Sequence, residues 1–367
     1  MNVVAPRTRS LRAKPWGGEP TASTNSAALR RFTLGSLITL FALMLLAAYL
    51  SPFAYMGATS LKDLGMISDA RTPLLPSAPA TFTHEGRDYP VYRVPTAEGE
   101  RALALIEPGR EQSVFVDPAD PQAQPIVWDG RWRQLTQEAI LTPKWDNYGE
   151  AWSTLNFPRL LRNTLAIALI GGVGTVVSSI AVAYGFSRFR IPYKGLLFGI
   201  LLATIVLPRF ITLVPTYAVF AKIGWVGTWL PLIVPHFFAN AYNVFLLRQY
   251  FLTIPSEIDE AAMVDGAGPL RILVSVLLPQ AIPAIVAVGL FHFFFAWNDF
   301  LEPLLYLSAR PDLQPISVGM QVFSALFAQR PHLIQASALL GMALPVAIFF
   351  VAQRVFLRGA SLVGYSK

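Results

Sequence analysis

The chain contains no cysteine, so no disulfide can staple an exported segment and no thiolate metal site can form. Charge is also scarce. Asp, Glu, Lys and Arg make up 14% of the residues against 54% hydrophobic, where soluble domains carry about 25% charged. The four histidines, His84, His236, His292 and His332, are scattered along the sequence, which argues against a histidine-rich metal centre. No GxxxxGK[ST] loop occurs, so that cradle for a nucleotide phosphate is missing. Gly171, Gly172 and Gly174 lie inside an apolar run and read as helix-packing surface rather than as a dinucleotide turn. No catalytic constellation emerges, and an enzyme is not expected.

Long apolar runs are what the chain has in abundance. Six stretches meet the requirement of about 20 predominantly apolar residues per membrane-crossing helix: Phe32–Pro52, Leu160–Phe186, Gly195–Ala221, Thr228–Tyr250, Gln280–Leu307 and Leu333–Phe356. The first is too long for a signal-peptide core and follows a basic tail, residues 1–31, so it is expected to be retained. Orientation follows from the lysine and arginine bias. Arg7, Arg9, Arg12, Lys14, Arg30 and Arg31 precede the first span; Arg188, Arg190 and Lys194 fill the link between the second and third; Arg354, Arg358 and Lys367 follow the last. Six spans put all three groups on one side, so both termini, including the tail 358–367, are expected in the cytoplasm of a prokaryote. The formal charge of +7 is then positive-inside bias. No basic–aromatic patch suggests nucleic acid as a partner.

One cytoplasmic link breaks the pattern. The segment 255–279 carries Glu257, Asp259, Glu260 and Asp265 against Arg271, and is punctuated by Pro255, Gly266, Gly268 and Pro269. Proline suits the first turn of a helix and glycine a sharp corner, so two short helices around a turn are expected. An acidic, ordered loop in a positive-inside protein implies a basic partner. Glu260-Ala261-Ala262, then Gly266, then Leu278-Pro279 resembles the EAA loop of binding-protein-dependent ABC importer permeases, with Val276 where isoleucine is usual. The motifs Trp145-Asp-Asn147-Tyr148, Phe157-Pro-Arg159-Leu-Leu-Arg162-Asn163-Thr164-Leu165, Ala183–Pro192 and Phe295-Ala-Trp297-Asn298-Asp299-Phe300-Leu-Glu302-Pro303 resemble the smaller, maltose-type permease of carbohydrate systems. The closing residues depart, lacking the usual Ala-Val-Lys-Gly.

The resemblance implies an all-α polytopic type I ABC importer fold with a permease core at 160–357. It implies that Glu260, Ala261, Ala262, Asp265, Gly266, Leu278 and Pro279 form the contact with an ATPase subunit. It also implies partners: a second homologous permease, two ATPase subunits that hold the ATP and Mg, an extracytoplasmic solute-binding protein, and inner-membrane lipid. No cofactor is expected in this chain. A family departure lies between the first two spans, where a short connection is usual. Residues 63–146 hold short β-like runs such as Tyr89–Val94, Arg101–Ile106 and Gln112–Val116, separated by Gly86, Gly109 and Gly130. A small β-rich extracytoplasmic insert is expected, either decoration or a docking element in which Tyr92, Trp128 and Trp132 anchor the binding protein.

Polar groups at membrane depth need a reason. Arg209 follows Pro208 in mid-span and reads as cavity-facing or acid-paired. Asn240 and Asn243 stand together on the fourth span. Trp297, Asn298, Asp299 and Glu302 stand on the fifth, with the two carboxylates sharing a helix face. Trp297 offers a flat surface for a sugar ring. These residues are candidates for the substrate path, with interhelical hydrogen bonding as the alternative. The expected function is a carbohydrate importer permease. A permease for a non-sugar solute and an ion-coupled secondary carrier remain as alternatives; the carrier would call for inverted repeats, and none is evident.

Overall fold

Between Ser23 and Ser60 only Pro52 interrupts the donors of the helical ladder, and the segment forms one helix, α1 (Ser23–Ser60). Its side chains from Arg31 to Tyr55 are all exposed, including Phe32, Leu37, Ile38, Phe41 and Met44. A helix apolar on every side is suited to hydrocarbon rather than to water. This computed structural model describes residues 23–67, 74–84, 86–96, 99–120, 124–324 and 329–363. Arg7, Arg9, Arg12 and Lys14 of the expected tail, and residues 364–367, lie outside the described residues. Residues up to Tyr55 form one unit and those from Met56 onward another.

The second unit takes in the last turn of α1 and then a short helix, α2 (Leu64–Ile67), followed by eight strands. They are β1 (Ser77–Pro79), β2 (Thr81–His84), β3 (Arg87–Thr96), β4 (Gly99–Glu107), β5 (Gln112–Val116), β6 (Ile126–Asp129), β7 (Thr136–Gln137) and β8 (Ala139–Leu141). Strands β2 to β6 pair in sequence order, all antiparallel, with β7 added to β3; β1 and β8 make a separate two-stranded ribbon. Because side chains alternate across a strand, Val94, Leu103, Leu105 and Phe115 gather on one face, while Val91 and Ala104 meet Ala80 on the other. Tyr92, Trp128 and Trp132 pack against that first cluster. All three are half-buried there, so each ring keeps part of its surface exposed. The sheet is tied down at its base. Lys144 pairs with Asp63 and holds its carboxyl below the usual range, and the Asn147 amide donates to the carbonyls of Ser60 and Lys62 at 2.8 and 2.9 Å.

The remaining helices are α3 (Asp146–Leu155), α4 (Phe157–Arg188), α5 (Lys194–Ala203), α6 (Arg209–Lys222), α7 (Leu230–Ile233), α8 (Ala241–Thr253), α9 (Ser256–Val264), α10 (Pro269–Ile272), α11 (Leu278–Gln280), α12 (Ile282–Asn298), α13 (Leu301–Leu307), α14 (Ile316–Gly319) and α15 (Pro331–Val363). Helix α4 is the centre of packing. Ala183 and Tyr184 at one end meet Val244, Leu247, Phe251, Leu277 and Val288. Phe157, Leu160 and Ala168 at the other meet Phe293, Trp297, Leu333 and Ala336. Gly171 and Gly174 permit this approach: an added Cβ would lie 2.9 Å from His292 Nε2 at the first and 2.6 Å from the Phe237 ring at the second.

Four stretches are single spans by length and hydropathy: Arg31–Ser60, Phe157–Arg188, Leu230–Thr253 and Pro331–Arg354. The expected third and fifth spans are not straight helices. Lys194–Val206 and Arg209–Lys222 meet at 97°, and Pro269–Gln280 and Ile282–Asn298 at 82°; counting each bent pair as one span gives six. The first break has a local cause. Pro208 donates no hydrogen bond and forces Leu207 into extended backbone, ψ 116°. The fifth stretch, expected to run through Leu307, stops at Asn298, where Asp299 turns extended before α13.

Candidate functional site

The acidic link is a folded corner. Pro255 is extended and α9 begins at the next residue; Gly266 then takes φ +79°. The Ala267 amide donates to the Ala262 carbonyl at 2.9 Å and the Gly266 amide to Met263 at 3.0 Å. This pair of bonds is a Schellman C-cap, which needs a left-handed residue and therefore favours glycine. Gly268 has φ −72° and carries no such demand. Beyond the corner, α10 passes into a π-helical turn, Leu273–Leu277, and then into Leu278 and Pro279. Leu273 and Leu277 are buried in the core around α4, while Leu278 is half-buried and Pro279 exposed.

Two long-range contacts fix this corner. Arg188, the last residue of α4, forms an ion pair with Asp259 on α9, side chains 14% and 10% exposed, and donates to the Ile254 carbonyl at 2.9 Å. The Tyr184 hydroxyl donates to the Pro269 carbonyl at 2.9 Å. Asp259 is thus an internal clamp, which corrects its expected place among the charges offered to a partner. Glu257, Glu260, Ala261 and Asp265 are exposed and Ala262 half-buried. Met263, Val264 and Leu270 are exposed beside them. Sequence reasoning missed these three, because apolar residues in a membrane protein give no signal of their own. A rigid corner that combines carboxylates with exposed apolar groups is suited to docking.

The second site lies where the broken helices meet. Arg209, at the start of α6, donates from Nε to Glu302 at 2.9 Å and from Nη2 to Asp299 at 3.2 Å. Its guanidinium also lies 4.7 Å from the Phe295 ring centroid. The acid-paired reading of Arg209 therefore describes the structure. Asp299 and Glu302 converge for a different reason than expected, since they stand on either side of the helix break rather than on one helix face. His236 and His292 correct the expected scatter: their ring centroids lie 4.5 Å apart, and His292 Nδ1 is 2.9 Å from the Thr175 hydroxyl. No group of three or more metal-ligating side chains occurs among the described residues.

The other path candidates are occupied otherwise. Asn240 caps α8, accepting from the Tyr242 and Asn243 amides at 2.9 and 3.4 Å; Asn243 is buried. The Asn298 amide donates to Phe294 at 2.8 Å. Trp297 is 7% exposed and donates to the Gly341 carbonyl at 3.2 Å. It is a core residue here, which corrects its expected role as an open sugar platform. Trp297 and Asn298 nonetheless border a cleft of about 450 Å³ with Ser317 and Gln321. Asn163, part of the motif at 157–165, is structural: its amide spans the carbonyls of Asp312 and Gln314 at 2.8 and 3.0 Å.

Residues 174–360 match the family described as binding-protein-dependent transport system inner membrane component. The chain is 33% identical over 217 residues to the osmoprotective compounds uptake permease protein of Synechocystis sp., covering 58% of this chain and 72% of that one. It is 34% identical over 223 residues to the sn-glycerol-3-phosphate transport system permease protein of Rhizobium meliloti, covering 58% and 78%. Among solved structures, a bacterial ABC transporter involved in the import of the acidic polysaccharide alginate superposes with a TM-score of 0.61 at 18% identity, over 93% of this chain and 99% of the other. That likeness shows the fold.

Proposed function

Because the chain belongs to the family of binding-protein-dependent transport system inner membrane components, we propose that it is the permease subunit of an ATP-driven importer for a carbohydrate or related polyol or glycoside. The observation that carries this reading is the clamped corner at 255–279, which presents Glu257, Glu260 and Asp265 beside Met263, Val264 and Leu270. ATP and Mg belong to two separate ATPase subunits, and a second homologous permease completes the pathway. An extracytoplasmic binding protein delivers the solute. Closure of the ATPases moves the corner. The ion pair between α9 and the end of α4 carries that motion into the helix on which the core is built, so access switches between the two sides.

In this reading both bent pairs cross the inner membrane, giving six spans with both termini in the cytoplasm and the β-sheet outside. Arg209, Asp299 and Glu302 tie the third span to the fifth near the path. The carbohydrate assignment is supported by relatives named for glycerol phosphate and osmoprotectant uptake. The sequence holds no cysteine, so single cysteines report sidedness cleanly. Ala119→Cys and Ala267→Cys are expected to label from opposite faces with an impermeant maleimide in intact cells and inverted vesicles. Labelling of both from outside would overturn the six-span arrangement.

A further inference from the structure

The β-sheet carries a cleft of about 850 Å³ at the end where the β4–β5 connection meets the turn after β6. Gly109 lines it, and Gly130 precedes its lining residue Arg131. An added Cβ at Gly109 would lie 1.7 Å from the Gln112 carbonyl oxygen, and one at Gly130, φ +150°, would lie 2.3 Å from the Trp128 ring. The Gly130 amide donates to the Glu111 carbonyl at 2.7 Å, locking one rim to the other. The lining includes Arg110, Glu111, Arg131, Trp132, Arg133 and Gln134.

The charge of this cleft is unusual for the sheet. Arg93 and Arg101 are each matched to a carboxylate, Glu138 and Asp117, at 2.5 Å. Arg110, Arg131 and Arg133 are exposed and, among the described residues, none of them forms an ion pair. Glu111 is the one carboxylate in the lining, so three guanidiniums face one opposing charge. Arg133 lies 5.3 Å from the centroid of the Trp132 ring, within cation–π range, and that ring packs edge-on against Tyr92.

We propose that this cleft binds an anionic saccharide, one bearing carboxylate or phosphate groups. Guanidinium forks match carboxylate and phosphate oxygens in pairs. The half-buried indole of Trp132 suits the apolar edge of a sugar ring. The volume falls within the range of about 300–1,000 Å³ for small-molecule sites and exceeds the need of one inorganic anion. A concave site favours such a ligand over the flat acidic face of a protein. The choice of a saccharide rests on the importer reading above, whereas the anion preference rests on the arginines.

The test uses the full chain in detergent or nanodiscs, with trigalacturonate and maltotriose as probes and inorganic phosphate as competitor, followed by calorimetry at low and high salt. Trigalacturonate is expected to bind at least about tenfold more tightly than maltotriose, and to weaken as salt rises. The double variant Arg131→Gln/Arg133→Gln and the single variant Arg110→Gln, on the opposite rim, are each expected to lose about tenfold. Arg87→Gln, outside the cleft on the same sheet, should bind as the parent does. Equal binding of maltotriose, unchanged binding in both cleft variants, or phosphate binding as tightly as trigalacturonate would each overturn the proposal. So would loss of only a solute-binding protein's capture in the variants. This binding assay contains no ATPase and tests the cleft alone; in a separate uptake assay with the partner permease and ATPases, binding without ATP-driven uptake would strike the importer reading alone, and uptake without binding would strike the cleft alone.

Discussion

Replacing Asp259 by leucine is expected to cost about 3–5 kcal/mol of stability, because it strands a buried guanidinium. Arg188 and Asp259 are only 14% and 10% exposed, and without the carboxylate Arg188 keeps the single bond to the Ile254 carbonyl. The corner would lose its attachment to the end of α4, and the ATPase subunit its fixed docking surface. Co-purification of the ATPase with the permease should drop sharply, and the melting temperature of the purified permease should fall. The double variant Arg188→Met/Asp259→Leu removes both charges, so it should regain most of the thermal stability without regaining the coupling geometry. A single Asp259→Leu variant that melts and co-purifies like the parent would show that the pair is not a clamp.

Gly266→Val is the second large effect expected. The position has open space, with nothing within 4 Å of an added Cβ, but its φ is +79°. The penalty is therefore backbone strain of about 1–3 kcal/mol, which a β-branched residue cannot escape. Asparagine tolerates the left-handed region, so Gly266→Asn should keep the Schellman bonds at positions 266 and 267 and retain function. Glu260→Lys leaves the corner folded but reverses an exposed charge. Gly266→Val and Glu260→Lys should each lower substrate-stimulated ATP turnover in the reconstituted complex while the permease remains inserted in the membrane. Turnover that is unaltered in both would remove the corner from the coupling path.

The corner was legible because its determinants are local. Pro255, Gly266 and Pro269 each act on their own backbone, and their spacing alone marks two helices and a turn. Apolar composition likewise located the straight spans around α1, α4 and α15. It did not reveal the bends. Pro208 signals a broken ladder, but its 97° angle depends on what α5 and α6 pack against. The contacts that matter most are long-range and left no trace in the sequence: Arg188 with Asp259, Asn163 with the 312–314 backbone, and His236 with His292. Trp297 shows the opposite failure. Its chemistry suits a sugar, yet packing among Phe293, Leu333 and Ala336 makes it core.

The reading of this chain as a permease driven by a separate ATPase, rather than as a self-sufficient carrier, is tested most directly by solute uptake into vesicles. The chain is reconstituted with and without its partner permease and ATPases, with ATP or an imposed ion gradient as the only energy source. Accumulation is expected only in the complete complex, only with ATP on the face that carries residues 255–279, and with no response to proton or sodium gradients. Gradient-driven accumulation by this chain alone would contradict the account.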